Sequence, residues 1–480
     1  MVRRFFFSII CPIFLWILVL AIPPTLPAAS PEGDTGESAL TQDEDNPLGF
    51  EQTAETIPRW SGQVRANNRL YWDTRAIEDS LMKPNARVDL SIEARKEQAE
   101  LEVKFRWEPA WQAPDSATLF ERMIDEAYVR GYLGSTVLEA GYMKVVWGKG
   151  DDVHVLDVLN ATDYYDFVNN SYLDRRRSEW MLRLVQPVGE MHSLELVWEP
   201  VTTPDKIPLQ GPWKPYAISE LEATLQGHPA LSSLPQPVTA EALLAQGFLV
   251  QEDLSKLTDG TYGIRFTGSS HGFDYGILYA YTYNRQPKVD LRQFLQTPPP
   301  SNPRIYLTYD RVHCFGIEGA TTWEGFNFRL EGGYFLTEDT RGTDPLVRNN
   351  SIGYVVGFDR DLWTDGPNLN LQIQGILPLY SNKIDRNPLD VEYRSDEKYT
   401  SHILAGHLSD TILENKVKVK LSAACGLEQQ DLRIVPELTY EPFDDFQVTA
   451  RWIQYLGDRD TTFGQYKDSS FLEVGVSYQF

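Results

Sequence analysis

The most distinctive run of the sequence extends from Gly141 to Asn160 and places charged and polar side chains between apolar ones. Carboxylate, ammonium and imidazole groups held this close together can select ions and polar solutes where water is confined. We therefore treat the run as the candidate constriction of a pore, formed by Trp147, Lys149, Asp151, Asp152, His154, Asp157 and Asn160.

The rest of the chain carries no pattern typical of catalysis or of metal binding. None of its 7 histidines lies in a recognisable Ser/His/acid motif, which nucleophilic catalysis would need. Cys314 and Cys425 have no metal-ligand neighbours, and no glycine-rich phosphate loop occurs. We predict no enzymatic activity, no metal and no cofactor.

The elements that would position the run are β-strands. From Arg87 to Arg95 and from Glu100 to Glu108, apolar and polar residues alternate without exception, and a short link joins the two segments. A two-residue period with a short link predicts an antiparallel hairpin. The same pattern recurs at 62–73, 86–95, 99–107, 122–132, 136–146, 178–187, 192–200, 261–268, 272–283, 305–322, 326–337, 352–361, 368–378, 399–412, 416–426, 430–441, 445–455 and 470–480.

The links between these segments are sorted by length. Links after even-numbered strands are short, as at 96–98 and 269–271, whereas most links after odd-numbered strands are long, above all 147–177 and 201–260. This sorting is typical of an outer-membrane barrel with both termini in the periplasm. We predict an all-β, antiparallel up-and-down barrel of about eighteen strands, with sixteen as the alternative because 305–322 is irregular.

The two ends of the chain agree with secretion and barrel closure. Residues 1–29 read as a signal peptide, with Arg3 and Arg4 before an apolar run, the alternative being a membrane-anchoring helix. Residues 30–60 read as a disordered acidic leader, and 61–480 as the barrel. At the C-terminus, Tyr478 and Phe480 end a strand whose even positions are apolar or aromatic. They predict an assembly signal, with the barrel-assembly machinery and periplasmic chaperones as partners.

Two interpretations of the apolar residues near the charged run stay open. Val153, Val155, Leu156, Val158 and Leu159 are too apolar for a loop in water. They would be buried if the loop folds back into the barrel, or if it packs above the membrane against other loops. The link 201–260 is long enough to fold, and residues 218–225 and 240–246 suggest short helices of a cap or plug.

The polar faces of the strands predict a mildly basic lumen, although the whole chain has a formal net charge of −24. Such an acidic chain argues against nucleic acid as a partner. Many wall charges are expected to pair across strands rather than act in selectivity. The candidate lumen charges are Arg65, Arg69, Arg87, Arg95, Lys104, Arg106, Arg130, Arg265, Arg329, Glu331, Arg433 and Arg451.

Residues 141–182 also resemble a known family. A strand ending in Trp147-Gly148, the stretch Leu156-Asp157-Val158-Leu159-Asn160 and an Arg-rich entry into Trp180-Met181-Leu182 are similar to a large, largely uncharacterised family of Gram-negative outer-membrane barrels. The resemblance implies a porin-like or export-like barrel of unknown substrate and no catalytic residues. We expect a channel for small polar or anionic solutes in contact with outer-membrane lipids. An anchor or adhesin acting through its external loops is the alternative, and an outer-membrane hydrolase is a weaker one.

Overall fold

The computed structural model describes residues 58–73, 82–96, 98–108, 123–151, 153–165, 171–296, 300, 302–379, 390–394 and 398–480. The predicted signal peptide and nearly all of the predicted acidic leader lie outside these residues. The first strand begins at Arg59. Pro58–Phe480 form one compact unit.

Eighteen antiparallel strands pair in sequence order into a closed barrel, as predicted. They are β1 (Arg59–Tyr71), β2 (Met82–Lys96), β3 (Ala99–Trp107), β4 (Ile124–Leu133), β5 (Thr136–Met143), β6 (Glu179–Val188), β7 (His192–Glu199), β9 (Thr261–Ser270), β10 (Phe273–Tyr283), β13 (Arg311–Trp323), β14 (Phe326–Thr337), β15 (Ser351–Asp361), β16 (Asn368–Pro378), β17 (Ser401–Ile412), β18 (Val417–Gly426), β19 (Asp431–Phe443), β20 (Phe446–Leu456) and β21 (Phe471–Gln479).

The last strand closes the barrel against the first. β1 pairs antiparallel with β21 from Gln63↔Gln479 to Tyr71↔Phe471. Beyond this ladder, Gly62 and Phe480 exchange both backbone hydrogen bonds, at 2.8 and 3.0 Å. The Phe480 ring packs edge-on against Trp60, with the ring centroids 5.9 Å apart. Closure leaves neither terminal strand with an unpaired edge.

The alternation along each strand separates an apolar outer face from a polar inner one. On β21, Leu472, Val474, Val476 and Tyr478 are exposed, whereas Glu473 between them is buried. Most strands repeat this pattern, so most of their charged residues point into the barrel and most of their large apolar residues point out. An outward apolar band with a polar interior is the pattern of a membrane barrel rather than of a soluble sheet.

One predicted strand is in fact two elements. The segment 305–322 divides into β12 (Ile305–Thr308), which lies outside the barrel, and β13, which is part of it. Asp310, at the break, forms ion pairs with Lys288 and Arg348. The irregular pattern noted in the sequence marks this break.

The long connections after β7 and β10 fold together into a small cap, which we define as residues 200–260 and 284–310. The cap contains helices α2 (Tyr216–Leu225), α3 (Ala240–Ala245) and α4 (Arg292–Leu295) and the three-stranded sheet of β8 (Leu249–Gln251), β12 and β11 (Lys288–Asp290). Two of these helices match those predicted. The cap has its own apolar core, comprising Leu225, Leu231, Leu234, Val238, Leu243, Leu249, Phe294 and Ile305. None of the helices in the described ranges is long and apolar enough to cross a membrane.

Candidate functional site

The connection between β5 and β6, residues 144–178, folds into the barrel; we call it the inner loop. Its main anchor is Glu331, an inward-facing and fully buried residue in the middle of β14. One carboxylate oxygen of Glu331 accepts the backbone N–H of Gly150 at 2.6 Å, and the other accepts those of Val155 at 2.8 Å and Leu156 at 3.1 Å. His154 Nδ1 lies 3.2 Å from the first oxygen. A carboxylate surrounded by backbone amides in this way is held by charge-assisted hydrogen bonds.

The residues next to Glu331 extend this anchor along the wall formed by β13–β16. Gly148 has φ +106° and donates its N–H to Glu318 at 3.0 Å. A side chain at position 148 would overlap the Glu331 carboxylate, so glycine is required here for space as well as conformation. Deeper in the barrel, the Asp151 carboxylate accepts Arg329 at 2.5 Å and Asn370 at 2.8 Å. The inner loop thus reaches the middle of the barrel wall.

Apolar side chains of the inner loop pack onto the adjoining part of the wall, from β5 to β13. Trp147, Leu156 and Leu159 are fully buried and form a core with inward-facing residues of β5, β6, β7, β10 and β13. The wall is thinned by glycines at the points of contact. A Cβ at Gly263 would lie 2.5 Å from the Trp147 ring, and one at Gly316 would lie 2.7 Å from Leu156. Glycine within a strand commonly marks such a close approach.

The inner loop then returns across the lumen to the opposite wall. The inner loop contains the short helix α1 (Tyr172–Arg175), which precedes the cap helices in the chain. Asp174 of α1 contacts arginines on three successive strands. One Asp174 oxygen is 2.8 Å from Arg87 Nη2 on β2 and 2.9 Å from Arg106 Nη2 on β3, and the other is 3.5 Å from Arg65 Nη1 on β1. The strands β1–β3 face β14 across the ring of eighteen, so the inner loop bridges the barrel.

Internal contacts hold the two halves of the inner loop together. The side-chain amide of Asn160 accepts the N–H of Val145 at 2.8 Å and donates to the carbonyl of Arg177 at 2.9 Å. Asp157 forms an ion pair with Arg176 at 2.9 Å and accepts a hydrogen bond from Tyr172. The buried Asn160 and Trp147 therefore shape the inner loop instead of presenting side chains to a passage.

Arg285 of the cap fastens the base of the inner loop. Its guanidinium donates to the carbonyl of Leu159 at 2.6 Å, to Glu199 at 2.7 Å and to the carbonyl of Thr203 at 2.7 Å. Burial acts to lower the pKa of this arginine, but the charges of Glu199 and Glu179 outweigh it and leave the pKa raised. The cap, the barrel rim and the inner loop are thereby joined at one buried cation.

Of the other constriction candidates, Lys149 is partly buried and makes no hydrogen bond or ion pair with a described residue. Asp152 lies outside the described residues. His154 is fixed between Glu331 and the ring of Tyr172, whose centroid is 4.2 Å away. Its backbone carbonyl accepts Gln374 of β16 at 2.8 Å.

The candidate lumen charges all occupy inward-facing positions, and most are paired. Arg95 lies 5.3 Å from the centre of the Tyr132 ring, and Arg433 Nε is buried without a hydrogen-bond partner among the described residues. The remaining wall pairs are Arg69 with Glu473 (2.9 Å), Lys104 with Glu102 (2.8 Å) and Glu126 (2.5 Å), Arg130 with Glu139 (2.7 Å), Arg265 with Glu318 (2.5 Å) and Arg451 with Glu473 (2.7 Å).

The inner loop changes the charge balance expected for the lumen. The strands alone suggested a basic excess, but the inner loop brings Asp151 to Arg329 and Asp174 to the arginines of β1–β3. These carboxylates come from a loop, which the count of strand charges did not include. The excess expected from the strands is therefore offset where the inner loop crosses.

A cavity of about 1030 Å³ lies between the inner loop and the cap. Arg106, Asp125 and Asp174 line one side, and Tyr164, Tyr165, Tyr309 and Tyr466 contribute aromatic surface. Lys206 of the cap and Asp163 of the inner loop form an ion pair at its wall, at 3.1 Å. The cavity combines aromatic surface with charges of both signs, a lining that suits polar organic solutes.

The cap also reaches across the barrel mouth. Trp213, which follows β7, is buried against Tyr455 of β20 and Phe471 of β21, with ring centroids 6.2 and 6.1 Å apart. Ser469 donates a hydrogen bond to the carbonyl of Pro212 at 2.7 Å. β20 and β21 lie far from β7 around the ring, so the first part of the cap crosses the mouth of the barrel.

Sequence reasoning missed Asp174, Arg285, Glu318 and the inward-facing glycines, although it included Glu331 among the wall charges. A usable signal existed for the glycines, since Gly263 and Gly316 interrupt strands at inward positions. Cys314 and Cys425 do not form a disulfide. Within the described ranges, no group of His, Cys, Asp and Glu could hold a metal ion.

The sequence matches no family model and no curated protein, so the resemblance at residues 141–182 stays a prediction. Similar solved structures include Acinetobacter baumannii OccAB4, with 11% identity, 89% of this chain and 99% of that chain covered, and a TM-score of 0.47. Pseudomonas aeruginosa OccK11 is also similar, with 8% identity, 88% of this chain and 96% of that chain covered, and a TM-score of 0.44. A mutant Rh. blastica porin has 11% identity, 88% of this chain and 100% of that chain covered, and a TM-score of 0.38. At such low values the architecture rests on the strand pairing of this chain itself.

Proposed function

We propose that the chain forms an outer-membrane channel of a Gram-negative bacterium, through which small polar or anionic solutes diffuse or are exported. The observation that carries this proposal is the inner loop, which bridges opposite walls through Glu331 and Asp174. A segment that crosses a barrel at mid-height divides the lumen and sets the size of what can pass. No catalysis is needed for this function.

The outer surface and the loops support the orientation. Exposed aliphatic and aromatic side chains on the strands would contact outer-membrane lipids. The cap and the long loops would be external, and the termini and the short turns periplasmic. The aromatic end of β21 would be the element that the barrel-assembly machinery engages, after periplasmic chaperones have delivered the unfolded chain.

The decisive experiment is single-channel conductance of the purified protein in planar bilayers. We expect discrete conductance steps, and a several-fold larger conductance when residues 151–159 are deleted, because the deletion removes Val155 and Leu156, which donate to Glu331. If the deletion leaves the conductance of a folded, conducting protein unchanged, the inner loop does not constrict the pore.

Ion preference tests the lumen charges in the same recordings. Replacing Lys104 and Arg106 with Glu reverses two inward charges on β3, close to Arg87 on β2. We expect reversal potentials to shift toward cation selectivity, because wall charge acts strongly where water is confined. An unchanged reversal potential would mean that permeating ions do not pass this wall.

The folded cap favours one second function, an anchor or adhesin that acts through its external loops. Its own apolar core makes it a stable surface unit. A protein that never conducts, together with specific attachment of whole cells that is lost when the cap is replaced by a short turn, would support this alternative.

A further inference from the structure

We propose that Arg65, Arg87 and Arg106 form a binding site for a solute oxyanion, a carboxylate or a phosphate, and that Asp174 of the inner loop occupies this site in the absence of solute. This inference rests on the proposed channel function and specifies the chemistry of its solute. The three arginines come from three neighbouring strands, yet their guanidinium groups converge on one loop carboxylate.

The geometry is that of anion recognition rather than of a single wall pair. Asp174 accepts Arg87 at 2.8 Å and Arg106 at 2.9 Å on the same oxygen, with Arg65 at 3.5 Å from the other. Planar guanidinium groups suit the oxygens of carboxylate and phosphate. Burial acts to raise the pKa of Asp174, but the charges of Arg87 and Arg106 outweigh it and hold the pKa well below its usual value. Asp174 is thus a charged occupant at neutral pH.

The site is accessible from the cavity between the inner loop and the cap. Arg106, Asp125 and Asp174 line that cavity of about 1030 Å³ directly, so a small solute in it would contact Arg106. Arg65 and Arg87 do not line the cavity but contact the Asp174 carboxylate, which does. Two wall carboxylates would stay in place beneath it. Asp89 forms ion pairs with Arg65, Arg87 and Arg106. Asp125 forms ion pairs with Arg106 and Lys144. These pairs orient the guanidinium groups whether or not Asp174 is bound.

Exchange would free one end of the inner loop while the other stays docked. The Glu331 anchor holds the loop on β14, and the apolar core packs it against β5, β6, β7, β10 and β13. These contacts do not involve Asp174. A solute oxyanion that displaces Asp174 would therefore release α1 from β1–β3 without undocking the loop. The occupant lowers the apparent affinity for solute by the fraction of sites that it fills.

Equilibrium binding of inorganic phosphate and of succinate to the full-length, detergent-solubilised protein tests the site, measured by isothermal titration calorimetry. We expect weak binding to the wild type and an affinity at least about tenfold higher for Asp174→Asn, because the competing carboxylate is gone. Arg87→Gln in the Asp174→Asn background should return the affinity to the wild-type level or below. Binding of phosphate alone, or of succinate alone, would identify which oxyanion the site accepts.

Asp163→Asn is the matched control, since it removes the same charge from the same cavity but not from the arginines. An equal gain of affinity in this variant, or no gain in folded Asp174→Asn, would overturn the proposal. Heat-dependent gel mobility reports folding, and Asp174→Glu, which keeps the carboxylate, should retain weak binding. Because binding is measured without conduction, a protein that binds as expected but never conducts would refute the channel function and leave the site standing.

Discussion

Replacing Glu331 with Gln should loosen the inner loop while leaving the barrel intact. The carboxylate accepts the N–H groups of Gly150, Val155 and Leu156 and contacts His154, and its side chain is fully buried. Glutamine keeps one acceptor oxygen but places an NH₂ group where the other oxygen received its donors. Two charge-assisted hydrogen bonds are lost, and donors are left facing a donor.

The expected cost can be compared with what else holds the loop. Losing the buried charge and its bonds costs roughly 3–5 kcal/mol. Burial of Trp147, Leu156 and Leu159 contributes roughly 5–9 kcal/mol together, at about 1.5–3 kcal/mol for each side chain. The apolar packing therefore outweighs the loss, so the loop should stay docked most of the time. Its undocked population should still rise by roughly two to four orders of magnitude.

Single-channel recording should show this as more frequent, brief steps to a higher conductance rather than as a new steady level. Adding Leu156→Ala, which costs a further ~2–5 kcal/mol, should make the higher level persistent. Cleavage by trypsin after Lys149 should accelerate in parallel, and this readout does not depend on conduction. Glu437→Gln serves as the control, because Glu437 is an inward-facing carboxylate on β19 that makes no hydrogen bond or ion pair with the described residues of the inner loop. If folded Glu331→Gln matches the wild type in both event frequency and proteolysis, Glu331 is not the anchor.

Three further predictions follow from the barrel and the packing of its loop. In a background without native cysteines, a cysteine within 201–260 should react with an impermeant thiol reagent on intact cells and one within 269–271 should not; equal labelling would contradict the orientation. Deleting Phe480 should lower the folded, heat-modifiable fraction, since its backbone bonds close β21 on β1, and undiminished folding would reduce this residue to ordinary packing. Gly263→Leu should displace the Trp147 ring, which a Cβ would approach to 2.5 Å, at a cost of about 1–3 kcal/mol; tryptophan emission should shift to the red, and an unchanged spectrum would argue against this contact.

The barrel itself could be predicted because its signal is local. Alternation along Arg87–Arg95 or through the last strand is visible over a few residues, and it sets the face of each side chain directly. The sorting of short and long links then restricts how the strands can pair. The prediction of a single strand at 305–322 was wrong, because a short strand of the cap directly precedes a barrel strand there. Periodicity alone does not show to which sheet a strand belongs.

The site was predictable only in part. The residues from Trp147 to Asn160 were recognised as unusual for a loop, but two interpretations of them stayed open. Their partner Glu331 was placed on the inner wall without a partner of its own, and Asp174 carried no signal that distinguished it from other loop carboxylates. Charge alone identifies a residue as polar, whereas the specific pair depends on the folded arrangement.

The sequence by itself determined which side chains face the lipid and which face the lumen, because that choice depends only on the two-residue period of a strand. Only the tertiary structure decided what fills the lumen. Gly150 and Glu331, which form one hydrogen bond, are 181 residues apart, and Arg87 and Asp174 are 87 residues apart. Such contacts arise when ring closure brings distant strands to face one another, and local periodicity contains no information about which residues then meet.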